Sequence, residues 1–107
     1  MVNTTALVSI LVDSSARLDE RDDAAMDLGE VDSPEALAAL VSVASREEES
    51  ETLLASCGES IAQIWLRRGQ YDPKAWVGLT SAAKREIIDL VRLKKPDWLE
   101  QKGGLEG

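Results

Sequence analysis

The chain has 107 residues, 44% of them hydrophobic and 30% charged, and a formal net charge of −8, which suits one domain with a modest core. One cysteine and no histidine exclude an internal disulfide, imidazole catalysis, and metal sites built on histidine or several thiolates. No run approaches the roughly 18 apolar residues of a membrane span, and the first residues lack the basic region of a secretory signal, so we expect a cytoplasmic protein.

The first two predicted helices are short. Asn3 or Thr4 can cap the first, because a side-chain oxygen can accept a hydrogen bond from a free backbone N–H. The second is predicted from about Glu20 to Gly29, and Gly29 suits its C-terminal cap. Small side chains in its apolar stripe allow another helix to approach closely. The stripe consists of Ala24, Ala25 and Leu28.

The third helix has the clearest start signal in the chain. Ser33 can cap it, Pro34 suits the first helical position, and Glu35 interacts favourably with the helix dipole. Apolar residues then recur at intervals of three and four, which predicts one buried helix face. They are Leu37, Leu40, Val41 and Ala44.

The fourth predicted helix is long. It begins in the acidic run Glu47–Glu49 and ends at Gly69, a residue that suits a C-terminal cap. Gly58 interrupts its apolar face at a cost of about 1 kcal/mol relative to alanine. We therefore expect a neighbouring helix to approach closely at Gly58.

The remaining part of the chain contains two further start signals. Asp72 and Pro73 repeat the capped start and predict a short fifth helix. Thr80 or Ser81 can cap a sixth helix, which Pro96 ends.

These elements predict six helices in three hairpins, and no segment alternates with the period of a strand. Residues 97–99 are expected to fold back on the last hairpin. One domain is predicted at residues 1–102, followed by a flexible tail at residues 103–107.

Two segments are similar at an interval of 29 residues, since Arg21–Gly29 aligns with Ser50–Gly58. This interval is typical of stacked helical repeats. The first copy continues into a motif composed of Arg21, Leu28-Gly29, Asp32-Ser33-Pro34-Glu35-Ala36-Leu37 and Leu40. In these residues the chain resembles the HEAT-like repeat family, especially the short repeats found in phycobiliprotein lyases.

The resemblance implies an all-α fold, a short α-solenoid of about three antiparallel helical hairpins. In such stacks the second helices of the hairpins line a surface on which partners dock. The second copy departs from the pattern, because Ser50 replaces the arginine and Cys57 replaces the leucine. The last hairpin is therefore expected to be a cap that closes the stack.

Few residues are candidates for chemistry. Asp22 and Asp23 form one carboxylate pair, and Glu47–Glu49 forms another cluster, but both lie among other acids at predicted helix starts and are interpreted as solvated. Cys57 lies on an apolar helix face and is interpreted as a buried structural thiol. We expect no catalytic residue, no cofactor and no metal.

The aromatic residues occur only in the second half of the chain. Trp65 lies on an apolar face and is expected in the core. Trp76 and Trp98 could pack in the core, the interpretation we favour, or join Tyr71 in an aromatic and basic patch that binds nucleic acid or an acidic peptide. The basic members of that patch would be Arg67, Arg68 and Lys74.

The charge is unevenly distributed along the chain. Residues 1–60 contain fourteen acidic and three basic side chains, whereas residues 61–107 contain six acidic and nine basic ones. An acidic surface repels phosphate backbones, so direct nucleic-acid binding is disfavoured and a basic protein partner is expected. The alternative is that these acids only keep the surface soluble.

The sequence thus predicts a protein-binding function without catalysis. One hypothesis is an immunity-type protein that neutralises a basic bacterial toxin, such as a nuclease. The alternatives are an adaptor or chaperone-like scaffold subunit of a larger complex and, less favoured, an enzyme that assists cofactor attachment. The residues predicted to bind the partner are Asp22, Asp23, Met26, Asp27, Glu30, Glu51, Glu59 and Gln63.

Overall fold

Seven helices form within residues 3–100 and Leu105, the part of the chain that the computed structural model describes. They are α1 (Thr4–Val12), α2 (Leu18–Leu28), α3 (Pro34–Ala44), α4 (Glu51–Arg68), α5 (Pro73–Gly78), α6 (Ser81–Lys94) and α7 (Asp97–Glu100). The described residues contain no strand, which confirms the all-α prediction. The sequence predicted six helices. The seventh, α7, lies in the segment that was expected to fold back on the last hairpin.

The predicted flexible tail at residues 103–107 lies outside the described residues except for Leu105. Leu105 is fully buried, and its N–H donates a hydrogen bond to the carbonyl of Trp98 in α7.

Capping side chains determine where most helices begin. Five of them accept a hydrogen bond from a backbone N–H in the first helical turn: Asn3, Ser33, Ser50, Asp72 and Thr80. The capping oxygen of α4 therefore follows the acidic run, so Glu47–Glu49 lies in the turn before the helix. The predicted cap of α4 at Gly69 is confirmed, because Gly69 has a φ of 73°, in the left-handed region.

The central helix is α4, which packs against α2, α3 and α6, while α1 packs against α2 and α3. The smallest dimension of the molecule is 21 Å. This corresponds to two helix diameters of about 10–12 Å. The two layers contain α1 and α3 on one side, and α2, α4 and α6 on the other.

Neighbouring helices within each layer run in the same direction, because the contacting residues advance in the same order along both helices. For α4 and α6, Glu51 shares a groove with Arg85, and Gln63 shares another with Leu90. Between α2 and α4 the successive contacts are Asp22 with Ser56, Ala25 with Ser60, and Gly29 with Gln63. Between α1 and α3, Thr5 lies near Glu35 at one end and the carbonyl of Val12 near Arg46 at the other.

Two glycines allow α4 to contact its neighbours closely. A Cβ atom at Gly58 would lie 2.5 Å from the carbonyl oxygen of Ala83 in α6, which confirms the predicted close approach. A Cβ atom at Gly29 would lie 2.6 Å from Oγ of Ser60 in α4. Gly29 ends α2 with a φ of −63°, so its requirement for glycine comes from packing rather than from a left-handed cap.

The three tryptophans are buried, which confirms the core interpretation for each. Tyr71 packs between two of them, with ring centroids 6.3 Å from Trp65 and 5.1 Å from Trp98. The third, Trp76, lies under the Lys84 ammonium, 5.3 Å from the ring centroid. These contacts attach α5 and α7 to the end of α4 and to α6.

Candidate partner-binding surface

A buried ion pair anchors α2 against the turn before α4. Arg21 donates two hydrogen bonds to the carboxylate of Glu49, at 2.9 and 2.6 Å, and its Nε donates to the carbonyl of Leu11. The two paired side chains are only 5% and 8% exposed. Arg46 lies 3.3 Å from the same carboxylate, so the end of α1, helix α2 and the α3–α4 turn meet at one polar cluster.

Each member of this pair stabilises the charged form of the other. The hydrogen bonds from Arg21 hold the pKa of the Glu49 carboxyl below its usual value, although burial acts in the opposite direction. Those same bonds raise the pKa of Arg21. The prediction that Glu49 is solvated was therefore wrong. Its pairing depends on a residue 28 positions away, which the local acidic run does not reveal.

The acidic surface centres on α2. Asp23, Asp27 and Glu30 are exposed, and Met26 among them is 43% exposed. The spacing of Asp23, Met26 and Asp27 places these three on one face of α2, and Glu30 follows in the turn after the helix. Neither Asp23 nor Asp27 forms an ion pair within residues 3–100 and Leu105, so their charges face solvent.

The other predicted residues extend this surface onto α4, with less exposure. Asp22 is half-buried and accepts a hydrogen bond from Ser56 Oγ, which joins α2 to α4. Glu59 and Gln63 are also half-buried, whereas Glu51, at the start of α4, is exposed. Asp22 therefore contributes to helix packing as well as to the surface.

The two ends of the predicted surface carry mixed charge. At one end, Glu30 and Gln63 line a groove of about 610 Å³ whose basic side chains are Arg67, Lys94 and Lys95. At the other end, Glu51 borders a groove of about 270 Å³ with Arg85 and Glu86. The surface is thus uniformly acidic only around Asp23 and Asp27.

A third groove, between α3 and α5, was not predicted from the sequence. It has a volume of about 480 Å³, with Leu37 and Val41 of α3 and Ala75 of α5 among its apolar walls, and Arg68 and Asp72 at its edge. This groove arises because α5 is only six residues long and covers part of the face of α3. The sequence signal that could have indicated this groove is a capped helix, α5, that is too short to cover the apolar face of α3.

The residues that could carry chemistry are dispersed or buried. Cys57 is fully buried, and desolvation raises the pKa of its thiol to about 12, so the nucleophilic thiolate is not populated near neutral pH. Within the described residues, no cluster of three or more acidic or cysteine side chains is arranged to hold a metal ion. No helix in that part of the chain has the length and apolar character needed to cross a membrane.

Comparison with known proteins gives no match to a family model, to a curated protein or to a solved structure.

Proposed function

We propose that this chain is a non-catalytic, protein-binding member of the HEAT-like type, a short stack of helical hairpins. Support comes from α2, α4 and α6, which lie side by side and run in the same direction. Each of the two glycines that align in the sequence faces the next helix of this layer, Gly29 from the end of α2 and Gly58 from within α4. The proposed cap is the segment from α5 to α7, where Trp98 and Leu105 are buried.

The partner is proposed to bind the exposed face of α2. The observation that carries this proposal is the unpaired acidic centre of Asp23 and Asp27, flanked by the exposed side chain of Met26. A rigid helix face with one apolar side chain among charges provides both contact area and orientation for a protein partner. Glu59 and Gln63 would form the rim of the contact on α4.

The partner is proposed to be basic, and the function to be that of an immunity-type inhibitor which covers the cleft of a toxin such as a nuclease. Complementary charge accelerates association and selects among partners. Arg21 and Glu49 hold α2 in place, so the acidic face would be formed before binding occurs, which lowers the entropic cost of association.

The alternative function is that of an adaptor or scaffold subunit. It is favoured by the groove between α3 and α5, which lies on the other layer and is lined by Leu37 and Val41. A protein that binds one partner through α2 and another through this groove would connect the two.

The test is affinity capture from the native host with two matched variants. Asp23→Lys/Asp27→Lys reverses the acidic centre. Glu47→Lys/Glu48→Lys reverses two exposed acids in the α3–α4 turn and changes the net charge by the same amount. We expect to capture a basic protein that wild type and the turn variant retain and that the α2 variant loses.

The captured protein is then purified and assayed with and without the chain. Inhibition of a nuclease by wild type, and not by the α2 variant, supports the inhibitor function. Capture of several subunits of one complex, retained by both variants, supports the adaptor instead. Equal loss of binding by both variants would mean that total charge, not the face of α2, determines binding.

A further inference from the structure

In the part of the chain that the structure describes, the layer that contains α2, α4 and α6 has two outer edges with opposite charge, and α7 packs against part of α6. Helix α4 lies in the middle, so α2 forms one edge and α6 the other. The α2 edge belongs to the acidic part of the chain and the α6 edge to the basic part. The proposed cap closes the core of the stack, but the charged outer edge of α6 can still contact the complementary edge of a second copy of the same molecule.

The acidic edge carries two exposed carboxylates two helical turns apart, Glu20 and Asp27. Asp22 and Gly29 contact α4 through Ser56 and Gln63. At 3.6 residues per turn, Glu20 and Asp27 lie on the side of α2 that faces away from those contacts. This edge therefore presents two negative charges about 10 Å apart.

The basic edge has the same spacing with the opposite sign. Arg85 and Arg92 of α6 are exposed and also seven residues apart. Their positions on α6 are opposite those of Ala83 and Leu90, which face α4. Arg85 also borders the groove shared with Glu51 of α4. Asp89 approaches Arg92 at 3.5 Å, but both side chains remain more than 60% exposed, so this pair is weak and solvated.

Exposed apolar side chains lie beside the same two edges, one in α1 and one in α5, the short helix that shares a groove with α3. Ile10 is 37% exposed on the side of α1 away from Thr5, which contacts α3. Val77 is 76% exposed on the side of α5 away from Ala75, which faces α3. Each edge thus combines one apolar side chain with two like charges.

We propose that copies of this chain associate head to tail, with the α6 edge of one copy against the α2 edge of the next. The helices of this layer run in the same direction, so a parallel continuation brings Arg85 to Glu20 and Arg92 to Asp27 in register. Val77 then meets Ile10 in the other layer. Such a contact joins two different surfaces and leaves a free edge at each end, so it is open-ended.

The net charge of −8 opposes association between distant copies. At an ionic strength of about 0.15 M the Debye length is about 8 Å, so this long-range repulsion is screened while charges in contact still interact. Association is therefore strongest at moderate salt and weakens again when high salt screens the contact pairs.

The test is sedimentation equilibrium of the purified full chain and three charge-reversal variants. The acidic-edge variant is Glu20→Arg/Asp27→Arg, the basic-edge variant is Arg85→Glu/Arg92→Glu, and the third combines all four substitutions. The combined variant keeps the wild-type net charge with both edges reversed, so it controls for total charge.

Wild type is expected to exceed its monomer mass of 11.6 kDa as concentration rises into the millimolar range. Each single-edge variant should associate at least about tenfold more weakly. An equimolar mixture of the two should associate again, in alternating order, because one variant has two positive edges and the other two negative ones. The combined variant should recover wild-type association. A monomer at all concentrations, or single-edge variants that associate like wild type, would overturn the proposal. Neither result tests whether α2 binds another protein, because the sedimentation experiment contains only this chain.

Discussion

Residues 3–60 contain no aromatic side chain, whereas residues 61–100 contain three tryptophans and one tyrosine. The front region, residues 3–60, is instead held by aliphatic side chains, such as Leu28 and Leu40, and by the buried pair of Arg21 and Glu49. The rear region, residues 61–100 with Leu105, is held by large rings that pack around Tyr71. The polar cluster of Arg21 and Glu49 thus positions α2, the helix that carries the acidic face. The aromatic cluster around Tyr71 holds the last helices of the chain in place.

Breaking the buried pair in the front region should cost the most stability. Arg21→Met leaves the buried Glu49 with only its longer contact to Arg46 and removes a donor from the Leu11 carbonyl, so we expect a loss of about 3–5 kcal/mol in the free energy of unfolding. Urea unfolding measures this. The control is Arg17→Met, because Arg17 is 76% exposed in its pair with Asp19; it should change stability by less than about 1 kcal/mol.

We do not expect the ion pair of Arg21 and Glu49 to be the most stabilising combination of side chains at these two positions. Arg21→Met/Glu49→Leu removes both charges and should recover part of the loss seen in Arg21→Met. A double variant no more stable than Arg21→Met would show that the remaining contacts, such as those of Arg46, require the charges.

A second, somewhat smaller loss is expected in the rear region. Trp98→Ala removes a ring that packs on Tyr71 and leaves a cavity, so we expect a loss of about 3 kcal/mol. Because the contact is apolar, this loss should be the same at low and high salt, and a loss that varied strongly with salt would contradict the contrast between the regions. Urea unfolding at both salt concentrations measures it.

Much of the fold could be predicted from the sequence, because helix starts depend on local chemistry. Ser33 with Pro34 and Asp72 with Pro73 each specify a start within a few residues, and the positions agree with α3 and α5. Gly58 was also predictive, since a glycine that interrupts an apolar helix face indicates a point where another helix packs closely.

The buried pair could not be predicted from local chemistry, because it joins residues brought together by helix packing. One signal was available in α2. Arg21 precedes Ala24, Ala25 and Leu28 by three, four and seven residues, so it occupies a position on the buried stripe. A cation on that stripe requires an acidic partner, although its spacing does not identify Glu49 as that partner.

A third, smaller effect concerns the contact between the two regions. Gly58→Ala places a Cβ atom against the backbone of Ala83 in α6, so the overpacking cost of about 1–3 kcal/mol should exceed the gain in helix propensity of about 1 kcal/mol. Thermal unfolding measures the net loss. Gly78→Ala is the matched control, because only Ser45 Oγ lies near its Cβ position, at 4.0 Å, and it should be neutral or slightly stabilising.

The weakest of these effects is a difference in acid sensitivity. Since the pKa of Glu49 is lowered in the folded state, its contribution is complete above the unfolded pKa of about 4.3 and is lost as pH falls through the lowered folded pKa. Glu49→Gln is less stable near neutral pH, but its stability should fall less steeply below about pH 4.3. Urea unfolding across acidic pH measures both slopes, and equal slopes would mean that Glu49 does not contribute.

We infer that two roles are separated within the front region: Arg21 and Glu49 hold α2, while Asp23 and Asp27 bind the partner. This separation is tested by the dissociation constant of the captured basic protein for wild type, Asp23→Lys/Asp27→Lys and Glu47→Lys/Glu48→Lys, with urea unfolding of each. We predict that the α2 variant binds at least about tenfold more weakly, while the turn variant binds like wild type and all three are similarly stable. Equal affinities for wild type and the α2 variant would contradict the inference.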